Sequence, residues 1–202
     1  QLGGLSGGHV IDVQGGGNAD VILPALKDHN LQVGGGIRLE NAKTFLDHGA
    51  THIILSSFIF DPKGLIRWDR LEELNKQIGK KRIVLAPDVK NDRNIYVQQW
   101  KVNTGIRIDE DKLLSKLENY CDEFLVHSIE VEGMEGGVDL DLAKLVRNNC
   151  GIPVTYAGGG TNVEIVRVLH HMGLDITIGK SYYNGSVSHQ SLIDVNRELA
   201  SD

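Results

Sequence analysis

Two stretches of this sequence are variants of one another. The segment 33–58, VGGGIRLENAKTFLDHGATHIILSSF, aligns without a gap on 157–182, AGGGTNVEIVRVLHHMGLDITIGKSY. Gly34, Gly35 and Gly36 fall on Gly158, Gly159 and Gly160, Gly49 falls on Gly173, and Ser57 falls on Ser181. The offset, 158 minus 34, is 124 residues. A fixed period of this kind is the signature of a duplicated architecture. Apolar runs rich in Val, Ile and Leu predict strands at 8–13, 31–35, 52–56, 82–88, 123–128, 152–157 and 175–179. They read as buried on both faces, as parallel strands do. Amphipathic stretches between them predict helices, among them 65–78, 109–120, 140–147, 163–171 and 190–199. Four strand–helix units separate the two copies, so the expected fold is α/β: a (β/α)8 TIM barrel made of two half-barrels.

Two such periods are longer than the 202-residue chain, and only seven strands are legible. The strand that should match 82–88 by symmetry would lie before residue 1. The expectation is one barrel domain over residues 1–202 that lacks its first βα unit, with the open sheet edge that this implies. A net charge of −6 argues against non-specific nucleic-acid binding. No apolar run approaches the length of a membrane span. Cys121 and Cys150 form no Cys-x-x-Cys pattern, which suits a reducing compartment, expected to be the cytoplasm. No partner is expected beyond a small molecule, and the chain is expected to be a monomer.

The 24 glycines exceed what turns alone require, and several cluster after apolar runs. In both copies a strand ends in three glycines and a helix follows at once. Glycine lets the backbone approach an anion, and a helix N-terminus offers free N–H groups and partial positive charge. One unit later the strands end in Ser56–Ser57 and in Gly179–Lys180–Ser181, which add hydroxyl, backbone and ammonium donors. Barrel strands all end on one rim. Two phosphate sites are therefore expected across a shared mouth: Gly35, Gly36 and Ser57 on one side, Gly159, Gly160, Gly179, Lys180 and Ser181 on the other. A substrate with a phosphate at each end would span them. The competing reading is that the glycines only make tight βα turns.

Asp88 closes the 82–88 strand and should point into the mouth, where apolar walls favour a carboxyl group that transfers protons near neutrality. The competing reading is a cap or an ion pair with Lys90. Ser128 closes the next strand and is expected to hydrogen-bond a substrate hydroxyl or ring oxygen. Neighbours on a strand point oppositely, so His127 is expected to pack between sheet and helices. Trp100 sits on a hairpin or loop after Asp88, either stacked over a planar heterocycle at the mouth or packed on the outer surface. Arg38, directly after the first triplet, is placed to bind a phosphate or carboxamide. There is no HExxH, no Cys/His quartet and no carboxylate cluster, so no metal site is expected.

GGHVI (7–11), LQVGGGIR (31–38), DEFLVHSIEVEG (122–133), GGVD (136–139) and PVTYAGGG (153–160) together resemble the phosphoribosylformimino-aminoimidazole-carboxamide-ribotide isomerases of histidine synthesis. The resemblance implies a cofactor-free half-barrel-duplicated enzyme that performs an Amadori rearrangement of a bis-phosphorylated aminoaldose. It implies Asp88 as general acid, Ser128 as the sixth-strand hydroxyl, Trp100 as the stacking ring and Arg38 beside the first phosphate. It also implies a second acid on the first strand, which has no counterpart here. Lys180 stands where such enzymes more often carry a small residue. Two rivals are a sister cyclase-type lyase, which shares the glycines, and a non-catalytic phosphosugar-binding barrel. The SIEVEGMEGGVD loop favours the isomerase.

Overall fold

The computed structural model describes residues 5, 7–13, 15, 18–130, 137–159 and 162–201. The backbone is a (β/α) barrel. Parallel strands β1 (Gly8–Ile11), β2 (Leu31–Gly34), β3 (His52–Leu55) and β4 (Ile83–Leu85) pair in chain order. A fifth piece, β5 (Asp88–Val89), continues β4. Both pair with one later strand at one register, Leu85 opposite Phe124 and Asp88 opposite His127. Ala86 and Pro87 interrupt the ladder between them, because proline has no N–H to donate. A hairpin of β6 (Asn94–Val97) and β7 (Val102–Arg107) folds antiparallel onto β5. The parallel sheet resumes with β8 (Glu123–Ser128), β9 (Val154–Ala157) and β10 (Asp175–Ile176).

Helices α1 (Ala19–Leu26), α2 (Leu39–Asp47), α3 (Trp68–Ile78), α4 (Leu113–Leu117), α5 (Leu140–Asn149), α6 (Val163–His171), α7 (Lys180–Tyr183) and α8 (His189–Leu199) complete the chain. Alternation along each strand divides the apolar residues between two cores. Val33, Ile53, Leu85, Phe124 and Tyr156 face the helices and meet Leu26, Phe45, Leu74, Leu142 and Leu169. Ile54, Val84 and Leu125 form a separate cluster with Ala86 and Ala157. Truncating a fully buried side chain such as Leu74 to Ala should cost about 2–5 kcal/mol.

The duplication read from sequence is present in the backbone. Residues 39–47 and 163–171, matched by the repeat, are both helical, entered from extended Arg38 and Asn162. Ser56 (φ −117°, ψ −92°) and Gly179 (φ −115°, ψ −88°) make the same turn into the short helices that follow. The sequence alignment puts Ser56 on Lys180; the backbone match falls one residue earlier.

Several elements differ from expectation. The 109–120 helix is only Leu113–Leu117, and the last barrel strand stops at Ile176. Helix α1, with Pro24 inside it, was not legible from its pattern. Among the described residues β1 pairs only with β2, and β10 only with β9. His9 Nδ1 and Thr177 Oγ1 meet across the seam between them at 2.8 Å.

Candidate active site

The strand ends open on a cavity of about 2650 Å³ that also runs down along the seam. Gly35, Gly36, Arg38, Ser57, Asp88, Trp100, Gly159, Gly179, Lys180 and Ser181 all line it. Gly160, the other glycine expected there, lies outside the described residues.

Asp88 occupies the position that the strand pattern assigns to it, at the start of β5. Its Oδ2 accepts from Ser56 Oγ at 2.9 Å, and its Oδ1 lies 2.8 Å from His127 Nδ1. Both side chains are largely covered, at 17% and 22% exposure. The alternative partner, Lys90, sits over the Tyr96 ring instead. The Trp100 and His127 rings meet edge-on, 5.6 Å between centroids and 67° between planes.

The orientation of His127 and Ser128 is the reverse of that expected. His127 lines the cavity, whereas Ser128 is 2% exposed and bonds the Tyr156 phenol behind the sheet. The cause is register. Asp88 and His127 are paired partners on adjacent strands, so their side chains share a face and residue 128 takes the other. The hydroxyl expected in the mouth is instead supplied by Ser56. Burial pushes the Tyr156 phenol up, and its oxygen also accepts the Asp139 N–H at 2.8 Å. Asp139 caps α5 and binds Arg93 at 2.6 Å. Burial acts to raise the Asp139 pKa, but the Arg93 and Leu142 hydrogen bonds outweigh it and hold the carboxyl low.

Trp100 reaches the mouth through an unusual turn. Gln98, Gln99 and Trp100 all have left-handed backbone, φ 55°, 56° and 66°, which costs non-glycine residues about 1–2 kcal/mol each. The Gln98 N–H donates to Ser57 Oγ at 3.1 Å and ties this tip to the β3 rim.

Gly35 and Gly36 follow β2 and Gly158 and Gly159 follow β9, the two turns separated around the sheet by β3, β4 and β8. The first helix start is closed by Asn41, whose Oδ1 accepts the Arg38 N–H at 2.8 Å. The second is closed by Asn162, whose Oδ1 accepts the Ile165 N–H at 3.0 Å. Glycine is sterically required beside both. A Cβ on Gly35 (φ 89°) would strike the Asp12 carbonyl, and one on Gly158 (φ 105°) the Ser128 carbonyl. Each turn is thus pressed against the end of the neighbouring strand, so the tight-turn reading holds for these two positions. It does not compete with an anion role for the backbone N–H groups of the same turns.

Two residues at the mouth, Ser56 and Asp12, are not among the site residues the sequence singles out. Asp12 lies just past β1, is 6% exposed, lines the cavity and accepts from Asn18 Nδ2 at 2.9 Å. Its signal was an acid directly after the apolar run GHVI. Among the described residues no cluster of His, Cys, Asp or Glu could hold a metal ion.

Parallel strands that bring an acid, an imidazole and two glycine-led helix starts to one rim define a (β/α) barrel of the kind that works at its C-terminal mouth. The chain matches the family described as "Histidine biosynthesis protein" over residues 6–188, and it belongs to that family. It is 34% identical over 205 residues to a chloroplastic protein of Medicago truncatula, covering 94% of this chain and 64% of that one. It is 33% identical to a Neurospora crassa protein and 29% to one from Methanocaldococcus jannaschii, covering 79% of each. All three are named 1-(5-phosphoribosyl)-5-((5-phosphoribosylamino)methylideneamino)imidazole-4-carboxamide isomerase. The chain thus spans less than two thirds of the Medicago relative.

Proposed function

We propose that this protein is the isomerase that converts the bis-phosphorylated aminoaldose ribotide to its aminoketose in histidine biosynthesis. The observation that carries the reading is Asp88, held in the mouth between the glycine turns that follow β2 and β9. One phosphate sits at Gly35, Gly36, Arg38 and Ser57, the other at Gly159, Gly160, Gly179, Lys180 and Ser181. Trp100 stacks on the imidazole.

Asp88 gives its proton to the ribose ring oxygen. The C1–O bond breaks with its electron pair going to oxygen, and the amine nitrogen forms C=N. A base removes the C2 proton to give the enolamine. Uptake of a proton at C1 and loss of the C2 hydroxyl proton then give the ketone, so atoms balance without a cofactor. Ser128, turned toward Tyr156, contributes behind the sheet and not by touching the sugar.

The barrel takes an eighth strand at the seam between β10 and β1. Among the described residues β1 and β10 each have one neighbour, and the relatives are longer than this chain; both support this. The protein works as a cytoplasmic monomer with no nucleic-acid or membrane partner. The unpaired thiols of Cys121 and Cys150 suit a reducing compartment, and burial pushes Cys121 up to about 12.

Chromatographic conversion of the ribotide tests the reading. It should be measured with this chain and with a version carrying an added N-terminal βα unit grafted from the Neurospora relative. Product from either protein, formed at least about 10²-fold more slowly after Asp88→Asn, is expected. No product from both would contradict it.

A further inference from the structure

We infer that His127 is a positioning residue for proton transfer at Asp88, an assignment that rests on the isomerase reading and deepens it. Three observations converge. The ladder places His127 directly opposite Asp88. The imidazole Nδ1 lies 2.8 Å from Asp88 Oδ1, while Ser56 Oγ donates to Oδ2 at 2.9 Å. The Trp100 ring meets the imidazole edge-on, 5.6 Å between centroids.

A carboxylate oxygen has two lone pairs. One donor on each oxygen therefore fixes the plane of the Asp88 carboxyl and leaves a position on each oxygen for the transferring proton. When Asp88 releases its proton to the ring oxygen, the new negative charge appears on a group already faced by two donors. Charge that develops toward preorganised donors needs no reorganisation at the moment of reaction. The role requires His127 to carry its proton on Nδ1. Ser56 fixes one oxygen and His127 the other; loss of either leaves the carboxyl able to rotate.

The test compares His127→Phe, which keeps the ring packing and loses the donor, with His127→Asn, whose side-chain N–H lies near the Nδ1 position. In the ribotide assay His127→Phe should lower kcat at least about tenfold, a modest share of a general-acid effect, with KM little changed. His127→Asn should recover most of that loss. Near-wild-type kcat in His127→Phe, or equal loss in both variants, would overturn the assignment. A second measurement needs no turnover: ¹⁵N NMR of the imidazole should show the Nδ1–H tautomer in the wild type and a shift toward the Nε2–H form in Asp88→Leu. An Nε2–H tautomer in the wild type overturns the pairing itself. Absence of turnover both in this chain and in the version carrying the added N-terminal βα unit overturns the isomerase reading, and with it the role in proton transfer, whatever the tautomer.

Discussion

His9 on β1 and Thr177 just past β10 meet at 2.8 Å across the seam where no strand pairing is present among the described residues. The contact lies beside a polar interior in which Glu123 accepts from Gln32 Nε2 at 2.7 Å and from Thr155 Oγ1 at 2.6 Å. Burial lowers the His9 pKa, with Glu123 pulling the other way. The imidazole is therefore harder to protonate in the fold than in the unfolded chain. Below about pH 6.5, the ordinary histidine value, the unfolded state binds more protons and stability falls as pH falls. Urea unfolding between pH 7.5 and 5.5 should show this slope, and His9→Gln should flatten it. An unchanged slope in the variant would remove His9 as its source.

Asp88→Asn removes the transferable proton but keeps a side chain of the same shape. It should lower kcat by roughly 10²-fold or more while changing substrate affinity only a few-fold. Steady-state kinetics with calorimetric binding separates the two, and near-full turnover would refute Asp88 as the acid.

Trp100 is 41% exposed and held over the mouth by a left-handed turn. Trp100→Ala should weaken ribotide binding by about 1–2 kcal/mol, the scale of lost ring stacking, with little change in melting temperature. A large stability loss with unchanged KM would make it a packing residue instead.

Gly35→Ala places a methyl group against the Asp12 carbonyl with φ at 89°. The backbone must move, so a loss of about 1–3 kcal/mol in chemical unfolding is expected. Lys180→Ala, on an exposed helix start, should leave stability within about 0.5 kcal/mol and weaken binding of the phosphorylated ligand.

Arg93→Ala strands the Asp139 carboxylate in a pair whose side chains are only 18% and 14% exposed. The expected cost is about 3 kcal/mol, measured by urea titration. It should diminish toward acid pH as Asp139, held low in the native protein, becomes protonated.

The repeat made the barrel and both glycine turns legible, because period and strand–helix alternation are properties of the sequence alone. What it could not supply was the facing of residues at a strand's end. Asp88 lines the cavity because its rim position follows from strand direction. His127 and Ser128 were exchanged because parity depends on pairing with β5, across the break at Pro87, and a one-residue difference turns every side chain over. The Ser56–Asp88 bond was invisible for the same reason, joining residues on adjacent strands of the barrel. Trp100 at the mouth depends on three left-handed residues, a conformation that Gln and Trp do not advertise.

The most direct measurement is ³¹P NMR of the bis-phosphorylated ribotide titrated with the Asp88→Asn protein, which should bind without turning over. Both phosphorus signals should shift on binding, with Ser57→Ala reducing the shift of one and Lys180→Ala that of the other. A single perturbed signal, or one affected alike by both substitutions, would contradict a substrate held at opposite sides of the mouth.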